Sequence, residues 1–264
     1  MSLVTPQPTH SLPSRPEAPV QANSSTPPRT PAAPLPDRLI VTLDGPAGTG
    51  KSSVSRILAK RLGVEFLDTG AMYRAAAALV LDGAIDPHDI VAVCQALAHA
   101  DLHFDWTTDP PAILASGRAL EPRIRDADVT AVVSPLAGIP ELRRHMVQKQ
   151  RIIAAQHPRL VTEGRDQGSV VFPDADVKIY LDASPRVRAA RRADQLRAAG
   201  HHADEETLLR DIIARDESDR GRTDGPLVKP PGALTLDTSS LTFDQVVDRL
   251  EALVRTRLAD SVNR

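Results

Sequence analysis

The run Gly45, Pro46, Ala47, Gly48, Thr49, Gly50, Lys51, Ser52 follows directly on the apolar stretch Leu39 to Leu43. That adjacency constrains the chain more than any other feature. The pattern G-x-x-x-x-G-K-[ST] needs a strand feeding a tight turn, whose backbone N–H groups curl around a phosphate chain and then open a helix. The helix is at hand, with Val54, Ile57, Leu58 and Leu62 at helical spacing and Gly63 as a stop. Residues 45–52, with Ser53 behind them, are therefore read as a cradle for a nucleoside triphosphate. Lys51 reaches the β- and γ-phosphates, and Ser52 holds the Mg²⁺ that bridges them.

Strand and helix patterns alternate onward. Strands are expected at 39–43, 64–67, 160–162, 177–181 and 234–237. Helices are expected at 51–62, 71–81, 86–100, 129–137, 142–156, 185–200 and 205–215, with Thr242 capping a last one. Residues 102–106, 112–115 and 118–120 have a different texture: short runs split by Asp-Pro-Pro and Ser-Gly turns, as in a small inserted antiparallel sheet. The fold class is thus α/β, a P-loop NTPase core whose parallel sheet carries helices on both faces. Residues 1–36 hold ten of the 23 prolines and no apolar periodicity. Such a stretch cannot bury enough surface to offset its ordering entropy, so it reads as a disordered tail before a domain at 37–264.

Composition narrows the partners. A formal net charge of −2 provides no basic field for a nucleic-acid polymer. No apolar run approaches the roughly 18 residues of a membrane span, and residues 1–36 hold no secretory h-region. The single cysteine, Cys94, suits a reducing compartment, so the protein is expected in the cytoplasm. A guanine-reading N-K-x-D loop is excluded, because the only asparagines are Asn23 and Asn263.

Three clusters carry further chemistry. Asp68, Thr69, Gly70 and Arg74 leave a strand end, where open α/β sheets bind ligands. Thr69 could donate to an anionic oxygen, and Arg74 could do so from a turn further along; a plain helix cap with a solvated Arg is the alternative. Glu163, Gly164, Arg165, Asp166, Gln167 and Gly168 follow a buried strand, as a loop built to approach a ligand, or as an ion pair in a tight turn. Nine of the 27 arginines lie between Arg186 and Arg222, on two predicted helices. Arg188, Arg191 and Arg192 share the first; Arg215, Asp219, Arg220 and Arg222 end the second. That density fits a mobile lid over an anion, although two salt-bridged solvated helices would also explain it. Asp44, just before the loop, either touches the metal through water or braces the turn.

Taken in order over residues 38–257, these strings resemble the bacterial cytidylate kinases: Leu43 to Ser53, Leu67 to Arg74, Glu163 to Pro173, Lys178 to Ser184 and Arg215 to Arg222. The resemblance implies phosphoryl transfer from ATP, with Mg²⁺, to CMP and dCMP by a monomer. It also implies a nucleoside-monophosphate insert at about 84–130, which the small sheet would supply, and a helical lid at about 184–225. Carried over by motif, Thr69, Arg74, Arg165 and Arg222 hold the CMP phosphate. Ser134, Arg143 and Asp166 read cytosine, Arg215 and Asp219 meet the ribose, and Lys51, Arg188, Arg192 and Arg222 stabilise the transferring group. Position 69 is Thr where the family commonly has Ser, and position 167 is Gln where it often has Met or Ile. A kinase of UMP or AMP and a non-catalytic nucleotide-binding regulator are the rival readings.

Overall fold

A computed structural model describes residues 35–262; of the Pro-rich stretch 1–36, residues 1–34 lie outside the described residues. The elements run β1 (Leu39–Asp44), α1 (Lys51–Leu62), β2 (Glu65–Asp68), α2 (Thr69–Asp82), α3 (Ile90–His99), β3 (Leu102–Asp105), β4 (Ala112–Ala115) and β5 (Arg118–Ala119). A 3₁₀ turn (Arg123–Arg125) leads to α4 (Ala127–Leu136) and α5 (Pro140–Gln156). Then come β6 (Arg159–Gly164), a π-turn (Gln167–Val171), β7 (Val177–Asp182), α6 (Pro185–Ala198), α7 (Glu205–Arg220), β8 (Leu234–Asp237) and α8 (Phe243–Val262).

Five strands form a wholly parallel sheet in the order β2-β6-β1-β7-β8. Central β1 is buried at every residue, as a strand covered on both faces must be. The register sets Asp44 beside Gly164 and Asp68 beside Glu163, so the phosphate loop and both polar loops leave from one edge. Local chemistry sets the helix starts. Gly50, at φ 85°, opens α1; the Asp68 carboxylate accepts Ala71 N–H at 2.8 Å to cap α2. Thr242 and Gln245 form a reciprocal capping box before α8. With few aromatics available, close approach replaces bulk: Ala75, Ala76, Ala77 and Ala78 are all fully buried in α2.

The small sheet, β3-β4-β5, is antiparallel as expected. Its location was not fixed by the sequence. Trp106 stacks on His157 with ring centroids 4.0 Å apart, and Asp109 pairs with Arg56 at 3.2 Å. His157 precedes the first residue of β6, so this sheet sits by the amino ends of the strands, opposite the polar loops. The insert reaches those loops instead through its helical part: Arg74 donates to Thr130 at 3.0 Å, and Arg222 donates to Ser134 Oγ at 3.3 Å. A continuous β-strand-like hairpin is simply not what faces the ligand edge.

Gly45 shows how tightly the loop is seated. Its φ is +150°, and a Cβ there would run into the carbonyl oxygen of Leu181 on neighbouring β7. Neither atom can yield, because both belong to backbone. Gly45→Ala is therefore expected to lose at least about 2 kcal/mol of stability in urea denaturation, from overpacking and backbone strain together.

Candidate active site

In the phosphate loop, Lys51 folds back and donates to Pro46 C=O at 2.8 Å. It is buried, and burial together with Arg165 nearby pushes its ammonium down to about 7. A buried cation held by one loop carbonyl is poorly compensated until an anion enters the loop. Beside it, Ser52 Oγ donates to Glu163 Oε1 at 2.8 Å. Glu163 is almost wholly buried and forms no ion pair among the described residues. Asp68 adjoins it, and burial followed by repulsion from Glu163 lifts the Asp68 carboxyl to about 7.

A hydroxyl and a buried carboxylate form the hard-oxygen set that suits Mg²⁺. This ion keeps most of its shell for water and phosphate, so no cage of three acidic groups is needed, and none occurs among the described residues. The sequence reading named Ser52 alone for the metal; Glu163, the penultimate residue of β6, is brought to it by the parallel register.

Asp44 ties the end of β1 to the turn that follows β6. Its two oxygens accept Gln167 N–H and Gly168 N–H, each at 2.7 Å. Burial lifts this carboxyl to about 7, although those two N–H bonds pull the other way.

Around the loop stand more cations than the carboxylates can neutralise. Arg165 Nε donates to Asp219 Oδ2 at 2.9 Å, and Arg222 pairs with Asp219 Oδ1 at 2.6 Å. Asp219 therefore aligns two arginines; burial raises its carboxyl, but Arg165 and Arg222 outweigh that and hold it below the ordinary range. Arg215 forms no hydrogen bond or ion pair among the described residues, and its Nε is buried. Burial and the neighbouring Arg165 drive it down to about 10. Arg74 is likewise lowered, by burial and then by Arg125 and Arg192 against the help of Asp68. Arg192 is exposed and has no partner among the described residues. Arg125, on the 3₁₀ turn, was not singled out in the sequence, because nothing local distinguishes it.

Next to this ring lies a preformed polar pair. Arg143 and Asp166 are both almost fully buried and joined through Arg143 Nη2 and Asp166 Oδ2. Arg143 also donates to Ala137 C=O at 3.0 Å and lies 5.7 Å over the Tyr73 ring. Gly225, at φ +61°, presses its backbone onto the pair, where any Cβ would collide with both side chains. Ser134 reaches the same region through Arg222. A groove of about 520 Å³ runs along α5 behind Arg143, lined by Val147, Arg151, Ile152 and Val170. The phosphate-directed arginines do not line it.

Two of the expected site residues carry contacts to the protein itself. Thr69 Oγ1 spends its only proton on Glu163 C=O at 2.6 Å, so it ties α2 to β6 and has none left for an anion. Arg188 is 1 % exposed and all three of its nitrogens are engaged: Nε donates to Ala183 C=O at 2.9 Å, Nη1 to Ala47 C=O at 2.8 Å and Nη2 to Asp216 at 2.7 Å. It braces the phosphate loop against α7. Arg191 is similarly spent on Thr238.

The family model described as cytidylate kinase matches residues 41–256. A cytidylate kinase of Corynebacterium glutamicum is 47% identical over 216 residues, covering 82% of this chain and 94% of that protein. One from Mycolicibacterium paratuberculosis is 45% identical over 219 residues, covering 83% and 96%.

The brace is open to test. Asp44→Asn sets an amide donor against one of two backbone N–H groups, at an expected loss of about 1–3 kcal/mol at pH 5. The wild-type carboxyl titrates near 7 when folded and near 3.8 otherwise. A raised carboxyl favours folding below the lower value and loses that contribution as pH climbs to the upper one. The gap between wild type and variant should therefore narrow from pH 4 to 7, as read by urea denaturation at each pH.

Proposed function

This chain belongs to the cytidylate kinase family, and from that premise we propose how its side chains carry phosphoryl transfer from ATP to CMP. It is an ATP-dependent nucleoside monophosphate kinase. We read dCMP as a second acceptor and the monomer as the working unit. The observation that carries the reading is the juxtaposition of Arg215, half-buried with an unpartnered buried Nε beside the phosphate loop, with the Arg143–Asp166 pair. One feature calls for a phosphate, the other for a base edge.

The phosphate of CMP has a second pKa of ~6 and is mostly a dianion at pH 7, so its oxygen attacks without a general base. Catalysis then rests on positioning and on neutralising charge. Arg74, Arg165, Arg215 and Arg222 would gather the acceptor phosphate, with Asp219 holding Arg165 and Arg222 at a fixed separation. Lys51 and the loop N–H groups would hold the donor. Ser52 and Glu163 would hold Mg²⁺, which would supply charge neutralisation for the donor's phosphates. Arg192, exposed on α6, would complete the ring when the lid helices close and exclude water.

Cytosine presents an amino donor beside ring N3 and the O2 acceptor. A carboxylate that accepts from the amine and an Arg that donates to N3 and O2 fit that edge. Uracil reverses two of these positions and would set a carbonyl against Asp166. Leaving buried polar groups mispaired is costly, so rejection should be strong.

A coupled ADP-release assay over CMP, dCMP, UMP and AMP tests the whole reading. CMP and dCMP should turn over, with kcat/KM for UMP lower by about 10²-fold or more; equal turnover of UMP would end the base-reading argument. In the same assay Arg192→Ala should lower kcat more than it raises KM for CMP. The reverse split would take that arginine out of the transition state.

A further inference from the structure

α5 is tied to the π-turn at three places, and only one of them touches the base-reading pair. The first is Arg143 on Asp166. The second lies two helical turns along the same buried face, where Gln167 Nε2 donates to Gln150 Oε1 at 3.1 Å. The third is Arg151, which donates to Val171 C=O at 3.0 Å and Val170 C=O at 2.9 Å. Gln167 is held from its other side by Thr162 Oγ1, which donates to Gln167 Oε1 at 2.9 Å. Gln150 is 0% exposed and Gln167 1%. The Gln167 side chain thus points away from the ligand edge and into the protein, although its neighbour Asp166 faces the pair.

Two buried primary amides are a poor choice for stability alone. One of the four groups has no partner: Gln150 Nε2 is buried and unbonded. Apolar side chains of the same length would fill this space without that cost. What the amides provide is direction. A hydrogen bond between planar groups sets both the separation and the orientation of the elements that carry them, which dispersion contacts do not. The turn that carries Asp166 is short and irregular, so its position over α5 depends on such ties. Asp44 fixes the backbone of Gln167 from the strand side; Gln150 fixes its side chain from the helix side.

We propose that Gln150 and Gln167 are a positioning pair that sets the separation of Arg143 from Asp166, and through it the discrimination between acceptor bases. The proposal rests on reading Arg143 and Asp166 as the contacts to the acceptor base. Neither glutamine touches substrate.

The test uses the full chain as wild type, Gln150→Leu, Gln167→Met and the double variant. Each is assayed for KM of CMP, KM of ATP, the kcat/KM ratio of CMP to UMP, and Tm. Each single change should raise KM for CMP roughly tenfold and lower the CMP-to-UMP ratio by a similar factor, with KM for ATP within about twofold. The double variant should be no worse than the worse single, because the two side chains act as one unit. Unchanged CMP parameters overturn the proposal. So do single effects that add, and so does a joint rise of both KM values that tracks the fall in Tm, which marks general loosening. If Gln150→Leu does not fold, Gln167→Met alone carries the comparison. A wild type that makes no CDP strikes the functional reading; an active wild type with indifferent variants strikes only this pair.

Discussion

Asp44 ends the central strand one residue before the phosphate loop begins, and its two oxygens hold the first two N–H groups of the turn that carries Asp166. The phosphate loop and the turn that carries Asp166 are therefore joined through one side chain. The geometry follows from the parallel register, which places Asp44 next to Gly164 at the sheet edge. A strand slipped by one residue would turn this carboxylate toward the opposite face, and the link would be lost. Two charge-assisted bonds from backbone N–H groups also explain how a fully buried carboxylate is tolerated in the middle of the sheet.

Beyond that link, the site is organised by an imbalance of charge. Lys51, Arg74 and Arg215 are all shifted toward their neutral forms by burial, and they repel one another and Arg165. Structural ion networks balance their charges; here Asp219 serves two arginines while Arg215 and Arg192 are left over. Such local conflict is expected where a protein is shaped for a ligand that brings the missing charge. The Arg143–Asp166 pair is the contrasting case, an internally compensated pair whose polarity is available to a polar base edge.

Helices α6 and α7 divide their arginines between two environments that composition cannot separate. Arg188 and Arg192 lie one turn apart on α6, yet one is sealed against Ala47 C=O and Asp216 while the other is exposed. Residues four apart share a helix face, so the difference lies along the axis: Arg188, near the start of α6, meets Ala47 and Asp216, while Arg192 stands a turn beyond them. Gly48 allows that contact, with space for Arg188 Cβ at 3.3 Å from where its own Cβ would stand. A similar division separates Thr69, committed to the backbone of β6, from Arg74, which is a turn further on.

Most of the fold was legible from periodicity and punctuation: the five parallel strands, the phosphate loop, the helix that follows it and the small antiparallel sheet. These depend on contacts between neighbours in sequence, which pattern and turn chemistry report directly. The clusters of site residues were legible too, because short polar loops after buried strands mark the ligand edge. The chain by itself determined a parallel α/β kinase with a triphosphate cradle and an excess of arginine on its last two lid helices. Only the tertiary structure decided which arginines are braces and which remain uncompensated, that Glu163 rather than a cluster of acids stands beside Ser52, and that Gln167 turns inward to Gln150. It also set the small sheet by the amino ends of the strands. Those outcomes depend on hydrogen bonds between residues far apart in sequence, and a buried polar atom takes its role from the partner that packing brings to it.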